Sequence, residues 1–343
     1  MQFIGVDLHK RVIHACVVVL EHGKRRVTQR KRFGCDQVQA IKEFFASLAP
    51  FEVVVEATAN YPWFFHLVNP MASRFVLAHP RKLRIIAEST RKTDKIDAQI
   101  LAELLAMDMI PCAHIPTPRQ REHRVLVRQR HYVQRRRASV KTKLRSLLAN
   151  YNVDIEGLFT LAGLAKLAEI EMSESDRFLS SQLVADLQHL SSQVKRVEKQ
   201  LTEFSKSAPP AECEARQVLE TIPGVGAITV DVVVSELGDI RRFRSQKQVV
   251  AYAGLAPGVR ESASHSKQLG ITKEGSKLLR WVLVEAAWRV VMKTRRWGMA
   301  YEKLKKRVGA KKAIVAIARR LLCVMASMLQ NGRRYNLATE ILS

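Results

Sequence analysis

The chain has 343 residues, with 57 lysines and arginines against 32 aspartates and glutamates, a formal net charge of +25 and a pI near 10.3. Its 47% hydrophobic residues are enough for real cores, so two or three folded domains are expected and a disordered polycation is excluded. That balance excludes most ordinary metabolic enzymes and points to a polyanionic partner, nucleic acid ahead of an acidic membrane surface.

The N-terminal stretch MQFIGVDLHK reaches charge within seven residues and carries no apolar signal core. Residues 3–6, 12–20 and 27–33 read as three strands joined by short turns. An amphipathic helix is predicted next, with Asp36 as its N-cap and Val38, Ile41, Phe44, Phe45 and Leu48 along one face. Residues 51–55 are a near-continuous apolar run, as in a strand buried on both faces, and residues 75–78 form a further short strand. Three strands in a meander, then helix, strand, helix, strand and helix, is the order of an RNase H-like α/β sheet, expected over residues 1–115.

From about Pro116 the character changes. Eleven of the 27 residues from 119 to 145 are Arg or Lys and only Glu122 is acidic, while Val125, Leu126, Val133, Val140 and Leu144 keep an apolar side: a long basic helix. Leu183, Leu187, Leu190, Val194, Val197, Leu201 and Phe204 then step by four and three, a coiled-coil seam that fits either a hairpin folded back on the basic helix or a dimer. Pro209 and Pro210 end it, giving a basic helix and coiled-coil region over 116–210. Residues 211–343 read as a compact, mainly α-helical domain. The sixteen residues from Ile314 to Leu329 are too short for a membrane span and are broken by Arg319 and Arg320, and the five cysteines lie far apart without a C-x-x-C pair. A cytoplasmic protein with reduced thiols and no membrane partner is expected.

In so basic a chain, acids in apolar settings stand out. Asp7 follows the first strand and Glu56 follows Val53-Val54-Val55, where an unpaired carboxylate is costly. Asp94 and Asp97 lie three apart at the start of a predicted helix, on one face. Singly, Asp7 reads as a turn residue and Asp94 as an N-cap. Together the four suit Mg²⁺ or Mn²⁺, and two such ions roughly 4 Å apart can act on a phosphodiester.

Gly5-Val6-Asp7, Val55-Glu56-Ala57-Thr58, Lys92-Thr93-Asp94-Lys95-Ile96-Asp97-Ala98, Ile115-Pro116-Thr117-Pro118, Ile222-Pro223-Gly224-Val225-Gly226 and Tyr252-Ala253-Gly254-Leu255-Ala256-Pro257 occur in one order. With these strings the chain resembles the DEDD insertion-sequence transposases with a RuvC-like N-terminal domain, the IS-one-ten family of bridge-RNA-guided recombinases. The resemblance implies that Asp7, Glu56, Asp94 and Asp97 bind the metal and that Ser262, in Arg260-Glu261-Ser262-Ala263, is the nucleophile of a C-terminal serine domain. Ser264 and Ser266 share that polar loop, and only the resemblance selects Ser262. It further implies strand exchange through a 5′-phosphoserine, donor and target DNA, a structured non-coding guide RNA, and a homo-oligomer in which dimers assemble to a tetramer. The family commonly has glycine at the positions of Ala59 and Ala263. A RuvC-like nuclease acting on branched DNA is the alternative, and a nucleic-acid scaffold without chemistry the third.

Nucleic-acid contacts are expected at Arg135, Arg136, Arg137, Lys141, Lys143 and Arg145 of the basic helix, whose sequence neighbourhood offers almost no acidic partner. Gly224 and Gly226 resemble a helix-hairpin-helix turn whose amides approach a phosphate, against the plainer reading of a helix C-cap and tight turn. A second cationic cluster holds Lys293, Arg295, Arg296, Lys305 and Lys306, with Trp297 and Tyr301 as candidate stacking rings or core residues.

Overall fold

The computed structural model describes residues 1–86, 94–262 and 265–336. The chain divides into two compact units, Met1–Ile115 and Pro116–Ser343.

In the first unit β1 (Gln2–Leu8), β2 (Val12–Glu21) and β3 (Lys24–Gly34) form an antiparallel meander, followed by α1 (Val38–Ala46), β4 (Phe51–Glu56), α2 (Tyr61–Val68) and β5 (Arg74–Ala78). The sheet order is β3-β2-β1-β4-β5, with β4 parallel to β1 and β5 parallel to β4. This mixed sheet is consistent with the RNase H-like order expected. Alternation along the strands builds two faces. Ile4, Val6, Val53, Val55 and Leu77 pack with Ile41, Phe45 and Phe64 of α1 and α2, whereas Val54, Val76 and Ala78 face the opposite side. After α3 (Pro80–Ile86), α4 (Asp94–Ala106) covers that opposite side through Leu101, Leu104 and Leu105. Asp36 is not the N-cap of α1. Gln37 holds that position without a side-chain cap bond, its Oε1 accepting instead from the Gly34 amide at 2.8 Å.

The second unit opens with α5 (Pro118–Ala149), capped by Thr117, whose hydroxyl accepts from the Gln120 amide. The short α6 (Leu161–Glu169) leads to α7 (Glu174–Lys206), and α5 and α7 pair as a helical hairpin. The heptad seam is thus satisfied within one chain: Leu190 and Val194 bury against Val133, and Leu183 against Leu144, Leu147 and Leu148. α8 (Pro210–Glu220), α9 (Ala227–Leu237), a 3-10 turn (Ile240–Arg242) and α10 (Gln246–Tyr252) follow. Then come strands β6 (Pro257–Ser262) and β7 (His265–Ile271), and helices α11 (Lys277–Lys293), α12 (Arg295–Val308) and α13 (Ala310–Asn331). The antiparallel β6–β7 pair is an element the mainly helical expectation omitted. One apolar core joins Val127 of α5 and Leu201 of α7 to α8–α13. α13 is the one helix among the described residues long and apolar enough to cross a membrane, but it is half buried, with Ile317, Leu321 and Met325 wholly inside that core.

Candidate active site

Asp7 and Glu56 share one end and one face of the sheet. Val6 pairs with Val55 in the parallel ladder, so the next residues on each strand, Asp7 and Glu56, lie side by side at the carboxyl ends of β1 and β4. Both fall on the face opposite Val6 and Val55, the face that α4 covers. Contact between α4 and β1 is close enough that a Cβ on Gly5 would collide with the Ala98 carbonyl oxygen and the Ala102 amide. The direction of α4 follows from its neighbours on β3. Gln99 meets Arg30, while Glu103 and the Met107 sulfur meet Arg25. Because β3 runs parallel to β1, α4 runs opposite to β1 and begins at its carboxyl end. Asp97, in the first turn of α4, is therefore brought to the end of the sheet that holds Asp7 and Glu56, as is the backbone of Asp94.

Asp97 is half-buried and makes no hydrogen bond or ion pair among the described residues. Asp7 Oδ2 lies 3.0 Å from His9 Nε2. His9 was not anticipated, although its place two residues from Asp7 in a strand-end turn is a signal that reading for acids alone passes over. An open cavity beside it is lined by His9, Lys10, Arg11, Val12, His14 and Arg32, a cationic surround to a carboxylate. The donor set suits a hard divalent cation, being made of carboxylate oxygens. Among the described residues no three Asp, Glu, His or Cys side chains stand together as a metal-holding group. The side chain of Asp94 lies outside them.

Ser262 ends β6 and its backbone pairs with His265 of β7. The side chains of Ser262 and Ser266 lie outside the described residues, as do Ala263 and Ser264 entirely.

Two family models match in chain order. A DEDD transposase model of the IS110 group covers residues 4–153, and the transposase IS116/IS110/IS902 family model covers residues 216–303. The chain belongs to the IS110 transposase family. It is 29% identical over 296 residues to the transposase for insertion sequence element IS1328 of Yersinia enterocolitica, across 84% of this chain and 83% of that one. It is 25% identical over 349 residues to the transposase for IS1111A of Coxiella burnetii, across 98% and 91%. A pilin gene-inverting protein of Moraxella bovis is 24% identical over 349 residues, across 97% of each chain. The chain is thus a transposase/recombinase enzyme with DNA as its substrate, and its DEDD class points to divalent-metal dependence.

The cations of this transposase fall into two populations. Along the first half of α5 they are consumed internally, which corrects the expectation that the basic helix lacks acidic partners. Arg119 Nε donates to Glu212 at 2.6 Å, Arg128 to the buried Glu236 at 3.0 Å, and Arg130 to Glu198 at 2.6 Å. His123 and Arg216 flank the buried Asp231 at 3.0 and 2.7 Å. Burial alone would raise the Glu212 carboxyl, but the hydrogen bond and charge of Arg119, with Arg216 and His123, outweigh it and hold the group below the usual carboxylate range. The partners come from α7, α8 and α9, far away in sequence.

Along the second half of α5 the cations are free of carboxylates. Arg135, Arg136, Arg137, Lys141, Lys143 and Arg145 form no ion pair among the described residues. Lys141 and Arg145 lie over the Phe159 ring at 4.4 and 5.0 Å. In the C-terminal cluster Lys293, Arg295 and Lys306 are exposed and unpaired, while Lys305 reaches Glu302 at 3.3 Å and Arg296 is half-buried. The rings expected beside them are core residues. Trp297 and Tyr301 are each 6% exposed, with Trp297 Nε1 donating to the Tyr335 hydroxyl at 2.7 Å. The exposed aromatics of the second unit include Tyr132, Trp281 and Trp288. Gly224 takes φ +88° and packs against the Arg289 backbone, where a Cβ would come within 3.1 Å, whereas Gly226 has open space around it.

Proposed function

We propose that this transposase cleaves and rejoins DNA through a 5′-phosphoserine at Ser262, with Asp7, Glu56, Asp94 and Asp97 holding Mg²⁺ or Mn²⁺, under the guidance of a structured bridge RNA. The observation that carries the metal reading is the gathering of Asp7, Glu56 and the first turn of α4 at one end of the sheet. When bound, the cation supplies positive charge to the scissile phosphodiester.

In the cleavage step the Ser262 hydroxyl oxygen bonds to phosphorus and loses its proton, the bond to the 3′ oxygen breaks, and that oxygen leaves as a protonated 3′-hydroxyl. Rejoining reverses the exchange: a 3′-hydroxyl attacks the phosphoserine and Ser262 regains its proton. One phosphodiester is traded for another, so no nucleotide hydrolysis is needed. Donor and target DNA must be cut and joined together, which supports an assembly of dimers into a tetramer acting in the cytoplasm on the nucleoid. The unpaired cations of α5 and α12 support backbone contacts to nucleic acid.

The test is a denaturing gel of full-length protein incubated with Mg²⁺, its guide RNA and both DNA sites. A covalent protein–DNA adduct is expected, absent in Ser262→Ala. An adduct that persists in that variant overturns the serine assignment, and free cleaved ends without any adduct favour the RuvC-like nuclease on branched DNA.

A further inference from the structure

We propose that the exposed face of α11, with the middle of α5 beside it, is a stacking platform for an unpaired strand of nucleic acid. Trp281 is 47% exposed and Trp288 37%, although both belong to a helix whose other face is wholly core. A helix that has a large core available and still leaves two indoles in water has a surface use for them. Seven residues separate them, which sets them on one side of α11 about 10 Å apart along its axis. That span equals roughly three steps of a stacked strand at ~3.4 Å each.

The surroundings carry the chemistry of the occupant. Trp281 is fixed against the His131 ring of α5, centroids 4.8 Å apart, and Trp288 edge-on against Tyr301 at 5.2 Å, so both indoles are held while one side of each stays open. Burial, then Arg135 and Arg130, push His131 below the usual histidine range, leaving it a neutral ring. The next residue, Tyr132, is exposed and lies 5.8 Å from the Arg136 guanidinium. Arg289 and Lys293 flank the tryptophans on α11, and Glu285 is the single acid on that stripe. The Gly224 turn packs on the backbone of Arg289, so the stripe continues toward Gly226, where a side chain would meet open space. Exposed rings interleaved with unpaired cations match an unpaired strand, whose bases offer π-faces and whose phosphates offer charge. A second copy of this chain would bring the same cations against themselves. The inference concerns binding and stands independently of the serine and metal chemistry proposed above.

Fluorescence anisotropy of the full chain, without added divalent metal, tests it with labelled oligo(dT), oligo(rU) and a DNA duplex of about twenty nucleotides each. Trp281→Ala and Trp288→Ala are expected to weaken single-strand binding about fivefold or more each, the factor that one lost base–aromatic stack gives. Trp281→Phe and Trp288→Phe retain most of the affinity, and duplex binding changes less than about twofold with an unaltered salt slope. Loss confined to oligo(rU) identifies RNA as the occupant, and loss confined to oligo(dT) identifies DNA. Unchanged single-strand binding in the double alanine variant overturns the proposal, as does equal loss for single strands and duplex. Smaller assemblies on sedimentation with unchanged single-strand affinity overturn it too, and assign the face to contacts between copies.

Discussion

Gly5 of β1 lies directly beneath Ala98 of α4, with no room for a side chain between strand and helix backbone. This contact sets the height of α4 over the sheet. Asp97 precedes Ala98 by one residue and Asp7 follows Gly5 by two, so the packing of the smallest residue in the strand fixes the approach of the acids. Replacing Gly5 by alanine forces the backbones apart. We expect a loss of about 1–3 kcal/mol in chemical denaturation, with strand cleavage lost even though all four acids remain.

The proposed metal site predicts a metal response separable from catalysis. Mn²⁺ should raise the melting temperature of the wild-type protein, because a ligand that binds only the native state stabilises it. In Asp97→Asn or Glu56→Gln the shift should shrink and cleavage should vanish. An Asp97→Asn protein with full cleavage and a full Mn²⁺ shift would remove Asp97 from the metal site.

Salt dependence should separate the two populations of arginines on α5. Arg136→Ala removes an unpaired surface cation, so the slope of log K against log salt for duplex DNA should fall by about one. Arg128→Ala instead strips a partner from the buried Glu236 and should cost about 1–3 kcal/mol of stability with the slope unchanged. Equal slopes in wild type and Arg136→Ala would remove that residue from the contact surface.

Glu212 gives a pH signature. Its folded-state carboxyl is held below the ordinary range, so its contribution is complete above the unfolded value of about 4.3 and is lost as pH falls through the folded value. Glu212→Gln should therefore be less stable than wild type by about 1–3 kcal/mol at pH 7. The gap should narrow as the pH is lowered below about 4. A gap that is constant from pH 7 to pH 3 would mean that the ion pairs to Arg119 and Arg216 do not account for it.

By itself the sequence determined the order of elements in the first unit, the two basic helices, the heptad seam and the acids worth watching. Each of these rests on local periodicity or on residue type after an apolar run, which chain neighbours settle. It did not determine what covers each face. The seam of α7 suited a dimer as well as a hairpin until Val133 and Leu144 of α5 filled it. Arg119, Arg128 and Arg130 read as free cations because Glu212, Glu236 and Glu198 lie some 70 to 110 residues away in sequence. Trp297 follows Arg295 and Arg296 yet is core, whereas Trp281 lies between Leu279 and Val282 yet is exposed, since burial depends on which neighbouring helices cover each ring. The tertiary structure alone decided those pairings: apolar burial and ion pairing are made between distant segments, and only the folded chain brings them together.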